Sequence, residues 1–510
     1  MKLSRAALAL AAGAALSRTD CSIGGFCTEG AAGCVDRGCH DGAQNGDETD
    51  VDCGGSCAPC GADRACAAPT DCATGRCAVG RCCEAPCGLW ASSFGSLKHD
   101  EIGRVAIAPD GSIYAVGTFS GIVDFGGGPL ASAGETDVFV LKLDAGGKHV
   151  WSVRFGGALA DNTVRLAVSA AGHPVIAITT ADTSLDLGGG ALTGTSGDNM
   201  YLVELDDAGK HVWSRAYAGS ISANALAFTP DGDLVVVGAF YEADLGAAGH
   251  LFSVGAVDIL VARLSPSGVP RWAKRYGNAF GDIGQQVAVG ADGSIYIAVL
   301  YSLTTSLGGK PLPDSKGELS IGVAKLDGKG KHRWSRGWVN GASHYATGLA
   351  VDDVGSVWVA GAIRGSLDVG TGPLPAGLGG SALVVKLDAE TGETEWAHSF
   401  GEHTMSPHAI VPDGHGGAML SGYLKGNADF GGGVALVAGI GQPFVARFDA
   451  AGAALWARAQ EGIALHATLA ATPGGDRVVL AGAYRGTLDV GTGPLPSAGE
   501  ADAFVAAISP

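Results

Sequence analysis

Tryptophan recurs in this chain at a nearly constant interval. Trp90, Trp151, Trp213, Trp272, Trp334, Trp396 and Trp456 stand 61, 62, 59, 62, 62 and 60 residues apart. A second marker keeps step: Asp, an apolar residue, then Gly. It starts at Asp124, Asp186, Asp244, Asp368, Asp429 and Asp489, with Ser306 in the fourth place. Seven copies of two markers mean seven units, and a fixed period of tens of residues is the signature of a repeat architecture. A length of 510 residues would otherwise suggest several domains. Seven like units can instead close into one body.

The first complete unit reads as four strands: Val105 to Ala108, Ile113 to Phe119, Val138 to Leu143 and Val150 to Phe155. Asp110-Gly111 between the first two is a hairpin signal, repeated at Asp231-Gly232 and Asp292-Gly293. The second strand is almost wholly apolar in later units too, as in the run LVVVGAF from Leu234. A strand with one wet face alternates; an unbroken apolar run is covered on both faces. Four-stranded antiparallel units packed face to face around an axis make a β-propeller, which leaves only short sheet edges. The expected fold class is therefore all-β: a seven-bladed propeller over residues 88–510, behind a small disulfide-rich module. The last unit ends on a third strand, Asp502 to Ile508, and the first Trp strand, Leu89 to Phe94, has no third strand before it. Pairing strand 89–94 with the last blade closes the ring. The repeated Trp residues read as inter-blade packing, and the repeated Asp residues as caps on local backbone N–H groups.

These residues resemble the bacterial SBBP seven-bladed propeller repeat. The likeness lies in Ile107 to Gly117, in Asp137-Val-Phe-Val-Leu-Lys-Leu143 and in Phe155-Gly-Gly157. It implies the fold across about residues 88–510 and leaves activity open, because propellers host unrelated functions. One unit, Leu387 to Trp396, is similar to the Trp-docking repeat of quinoprotein propellers, although eight units are usual there and seven are present here.

Residues 1–20 read as a signal peptide. Lys2 and Arg5 precede an apolar run from Ala6 to Leu16, too short to span a bilayer, and Ala12-Gly13-Ala14 offers a cleavage site. All 13 cysteines fall between Cys21 and Cys87. So dense a cluster implies a disulfide framework in an oxidising compartment. Zinc at the Cys57–Cys60 pair is the alternative. Lipidation of Cys21 would leave an even number of thiols, so the chain is either secreted or held at the cell surface, with an outer-membrane lipoprotein as one form. Segment 21–87 resembles cysteine-rich segments of exported bacterial proteins, especially myxobacterial ones, in the runs Asp41 to Cys60 and Asp71 to Cys83. Asp41, Asn45, Asp47, Asp50 and Asp52 supply closely spaced oxygens of the kind calcium takes, without EF-hand spacing. The competing reading is a solvated, disulfide-stapled loop.

A net charge of −18 disfavours nucleic acid and anionic membranes as partners. No segment after the leader is long and apolar enough for a membrane helix. The propeller region has no cysteine, G-x-S-x-G elbow, H-E-x-x-H pair or phosphate-binding loop. His398, His403, His408 and His415 crowd one unit. His344, Glu402 and His403 fall on connections expected to share a face, and two imidazoles with a carboxylate suit zinc. The functional expectation is a non-enzymatic binding or scaffold protein with a cell-envelope protein or glycan as partner, recognising it through loops on one face. The alternative is an exported polysaccharide hydrolase or lyase with acid/base residues on those loops. No cofactor is expected beyond calcium in the N-terminal module.

Overall fold

The computed structural model describes Cys39 and residues 42–62, 64–78, 80–83, 86–161, 163–195, 197–401 and 404–510. The leader, Cys21, Asp41, Glu402 and His403 lie outside these residues. The chain divides into two compact units, Met1–Glu84 and Ala85–Pro510.

The first unit has little regular structure. Disulfides hold it, among them Cys39–Cys57, Cys53–Cys60, Cys66–Cys77 and Cys72–Cys82. Cys60, Cys66, Cys72 and Cys82 are its buried centre. A segment this small cannot bury enough apolar surface to order itself, and cross-links that restrict the unfolded chain supply the difference. The Cys57–Cys60 pair is not a zinc site here, since each sulfur is bonded to a different cysteine.

The described residues of the second unit form a seven-bladed propeller of four-stranded antiparallel sheets. Blade 1 comprises Glu101–Ile107, Ile113–Phe119, Asp137–Leu143 and His149–Phe155, paired in that order. Blades 2 to 6 repeat it over 163–217, 221–276, 283–338, 345–400 and 404–459. Blade 7 takes three strands from 461–509 and its fourth from Cys87–Phe94. In that closing pair Trp90 lies opposite Ala507, and Phe94 opposite Ala503. Each first strand touches the first strand of the next blade, and the seventh touches the first, so the ring is complete.

The second strands are buried along their whole length in blades 1 to 4, which accounts for their unbroken apolar sequence. Between adjacent blades lie seven apolar clusters, one per interface. First strands differ from the sequence expectation. That of blade 1 begins at Glu101, not Val105: of its earlier residues only Ile102 is buried, so no apolar run announces them.

Tryptophan locks six of the seven interfaces at the outer edge. The Trp334 indole N–H donates to Ala389 O of the next blade at 2.9 Å. Its ring covers Gly392, where an added Cβ would lie 2.5 Å from the indole. The same seat pairs Trp90 with Gly147, Trp151 with Gly209, Trp213 with Gly268, Trp272 with Gly330 and Trp396 with Gly452. Each of these glycines has positive φ. The turn thus combines a left-handed backbone with a close approach, and both requirements select glycine. Lysine on the third strand reinforces the contact. Lys325 is buried over the Tyr296 ring and reaches Glu390 of the next blade at 2.6 Å.

Candidate functional site

Strand order places two sets of connections at one end of every blade. These are the links from a fourth strand to the next first strand, and the excursions from second to third strand. The excursion of blade 1 is a small hairpin, Ile122–Asp124 with Pro129–Ala131, and blades 2, 3 and 5 have counterparts. Its tip carries the repeated Asp. Asp124 Oδ1 accepts from the N–H groups of Gly126 and Gly128 at 2.7 and 3.0 Å. Asp186, Asp368 and Asp489 do the same across their tips. Asp244 and Asp429 accept one such bond each. Ser306 Oγ accepts from Gly308 N at 3.2 Å. The repeated carboxylates are turn caps, not a ligand ring.

The links carry a second repeated device. Asp100, Asp161, Asp282 and His344 are buried at one equivalent position. Their backbone N–H groups donate to Ala501, Thr136, Val257 and Leu319, the residues just before the preceding blade's third strand. Two side chains then cap the end of their own blade's second strand. Asp100 Oδ1 accepts from Ser120 N at 3.1 Å, and Asp282 Oδ1 accepts from Ser302 N at 3.2 Å. His344 performs the same task with a ring nitrogen. Its Nδ1 accepts from Arg364 N at 3.3 Å, and its Nε2 donates to Asn340 Oδ1 at 2.7 Å. Burial lowers the His344 pKa to about 4, so the ring is neutral at pH 7. Both nitrogens of this zinc candidate are occupied by the blade's own groups; Glu402 and His403 are outside the described residues.

Burial raises the pKa of Asp100, Asp161 and Asp282, the direction required of a general acid. The three belong to different links, and each receives backbone N–H bonds there. Structural capping accounts for them.

The same end of blade 3 exposes three aromatic side chains. Tyr241, Phe252 and Phe280 are 54%, 60% and 52% exposed. Phe252 stacks on His250 with ring centroids 4.5 Å apart, and His250 Nε2 lies 2.8 Å from Glu242 Oε1. Ser253 N donates to Tyr241 O at 2.9 Å, which holds the two hairpin arms together. Gly255 packs directly on the backbone of Ala279, bringing the Phe280 link against the hairpin. Aromatic side chains held on ordered backbone and left in water make this end of blade 3 the candidate for contact with a ligand. Sequence reading missed them, because they come from three stretches that only the blade brings together.

In the disulfide module, the calcium candidates are bonded to their own surroundings. Asp47 accepts from Ser56 N and Oγ at 3.0 and 2.7 Å, and these bonds lower its pKa. Asp50 accepts from Ala65 N and Val51 N, each at 2.7 Å, and from Arg64 at 3.2 Å. Asp52 accepts from Gly42 N at 3.0 Å, and Asn45 N donates to Glu48 Oε2 at 3.0 Å. Asp41 lies outside the described residues.

No family model matches the chain. No curated protein matches it either. Among solved structures, it is similar to the Pan2 WD40 domain of Neurospora crassa, at 11% identity and TM-score 0.41 over 83% of this chain and 98% of that one. A Dyadobacter fermentans protein of unknown function matches at 12% identity and TM-score 0.41, over 83% and 99%. Quinohemoprotein alcohol dehydrogenase from Comamonas testosteroni matches at 11% and 0.40, over 82% and 76%. Likenesses this distant carry no argument about function, and the architecture rests on the chain's own strand order.

Proposed function

We propose that this chain is an exported, non-enzymatic binding protein of the cell surface, recognising a cell-envelope glycan or protein through the loop end of its propeller. The observation that carries this reading is the exposure of Tyr241, Phe252 and Phe280 at the loop end of blade 3. Half-exposed rings, with Phe252 steadied by His250, offer flat apolar area with little side-chain freedom to lose, which suits sugar rings and apolar peptide side chains. The disulfides of the first unit support an oxidising compartment. Among the described residues, no helix is long and apolar enough to cross a membrane.

The test is binding of the full chain to arrayed envelope glycans and to solubilised envelope proteins, with the Y241A/F252A/F280A variant beside it. The expected result is a ligand class whose binding falls at least tenfold in the variant while the melting temperature stays within a few degrees. Binding that is indifferent to all three substitutions would refute the assignment of these residues. Turnover of a bound polysaccharide would move the protein to the hydrolase or lyase reading.

A further inference from the structure

The first strands surround the propeller axis, and a polar girdle crosses them at one height. Arg104, Arg165 and Gln286 hold equivalent registers, opposite Val116, Ala177 and Ala298 of their second strands. Asn224, Thr347 and His408 each occupy the extra residue of a bulge beside that register. His466 follows the bulge in blade 7. Every blade therefore contributes one polar side chain.

Much of the girdle is satisfied from blade to blade. Asn224 Nδ2 donates to Gly284 O at 2.9 Å, and Gln286 Nε2 to Thr347 O at 3.0 Å. His408 Nδ1 accepts from Ala467 N at 3.0 Å, and His466 Nε2 donates to Ile102 O at 2.7 Å. The two arginines are different. Among the described residues Arg104 donates to Gly103 O alone, at 2.8 Å. Arg165 donates to Asn224 O at 2.6 Å and to Val164 O at 2.9 Å. No carboxylate pairs with either among the described residues, although elsewhere Arg263 has two and Arg447 has one. Glu101, on the same strand as Arg104, is engaged with His99 Nε2 at 3.2 Å and lies 3.9 Å from His466 Nδ1. Burial lowers the pKa of both arginines; Arg165 falls to about 9, with the charge of Arg104 adding to the effect. A chain with net charge −18 thus holds two neighbouring, half-buried cations at its axis with no counterion among the described residues. Two like charges held side by side in a lined recess favour an anion that completes them.

The first strands of blades 1, 6 and 7 lead from the girdle into a largely apolar cavity of about 550 Å³. Val105, Ile107, Val411, Pro412, Leu469 and Ala471 line it. A strand advances about 3.3 Å per residue, so this wall begins one residue beyond Arg104 and three beyond His408 and His466. The volume is that of a small-molecule site. Of the two acids on its rim, Asp352 is bonded to Ser356 N and to Trp358 Nε1, and Asp353 is exposed.

We propose that the propeller axis binds a small amphipathic anion, with a carboxylate or similar oxyanion head on Arg104 and Arg165 and an apolar body in the adjoining cavity. This site is independent of the loop-end aromatic residues.

The test uses the full chain at constant ionic strength with octanoate, octanol and inorganic phosphate as probes, read by calorimetry and melting temperature. Octanoate is expected to bind and raise the melting temperature, as a ligand selective for the folded state does. Octanol is expected to bind more weakly. R104Q/R165Q is expected to weaken octanoate binding on the order of tenfold or more, because charge-assisted pairing is lost, while the ligand-free protein melts no lower. Two further variants settle the matter if that one does not fold: R165K keeps the charge without the planar fork, and A106L narrows the cavity with both arginines present. Both are expected to weaken octanoate binding. Absence of octanoate binding, equal binding of octanol, a response to phosphate alone, or octanoate affinity unchanged in R165K and A106L would each overturn the proposal.

Discussion

The contact between Trp334 and Gly392 allows a quantitative test of what holds the blades together. Trp334 is 6% exposed, and its N–H is bonded to Ala389 O. Trp334→Ala is expected to cost about 3–5 kcal/mol in unfolding free energy, the range for a buried tryptophan. Gly392→Ala acts on the same contact from the other side. Its φ of +69° charges about 1 kcal/mol for any Cβ. The methyl group would also lie 2.5 Å from the indole, and overpacking of that kind adds about 1–3 kcal/mol. In the double variant the ring is gone, and only the backbone term of the second substitution remains. The combined loss should therefore fall short of the sum by about 1–3 kcal/mol. Equilibrium urea unfolding followed by far-ultraviolet circular dichroism measures all four proteins without relying on tryptophan fluorescence. If the two losses add within about 0.5 kcal/mol, the sites are independent, and the ring-on-glycine account of the interface is wrong.

Four other outcomes follow from the same geometry. His344 titrates at about 4 in the folded chain against an ordinary 6.5, so its contribution is complete above pH 6.5 and disappears as pH falls towards 4. That contribution is roughly 3 kcal/mol at most; H344N, which keeps an acceptor but cannot titrate, should flatten the difference between urea midpoints at pH 7 and pH 4.5, and an identical pH profile would contradict it. Asp124→Ala removes two exposed backbone bonds and should lower stability by about 0.5–1.5 kcal/mol, measured as a small shift in urea midpoint; a loss above about 3 kcal/mol would mean that the residue does more than cap a turn. Deleting residues 88–95 removes the outer strand of blade 7 and should lower the melting temperature of the whole propeller; an unchanged value would deny the closing pair any role. Asp47 and Asp50 already hold internal donors, so the module is expected to keep its protease resistance in EDTA, and loss of resistance that calcium restores would show a bound ion.

The ring was legible because its defining contacts repeat. Seven Trp residues and seven cap positions recur at one interval, and the apolar second strands report burial on both faces. What sequence concealed is what departs from regular periodicity. Glu101 and Arg104 interrupt the apolar run of the first strand, which made that strand look shorter than it is. The register shift between Ile102 and Arg104 then places the guanidinium at a height that alternation alone does not give. His344 resembled a metal ligand when viewed beside other histidines. Set against Asp100, Asp161 and Asp282 at the matching point of their repeats, it is a change of capping residue. The exposed aromatic residues were invisible for a further reason: exposed rings leave no pattern in a hydrophobic profile, which records only their apolarity.

The closing strand has a consequence for how the protein is made. Gly88 pairs with Ile508 across almost the entire length of the propeller chain. During biosynthesis the first strand of the ring emerges from the ribosome with no partner, and its partner is the last to appear. Six blades can assemble while the seventh waits, with an unpaired edge on Asp502–Ser509 until residues 87–94 return. Pairing of such distant segments is slow, and open edges invite association with other chains. Completion of one blade, more than the stability of any single unit, is therefore expected to set both the rate of maturation and the period in which aggregation competes with it.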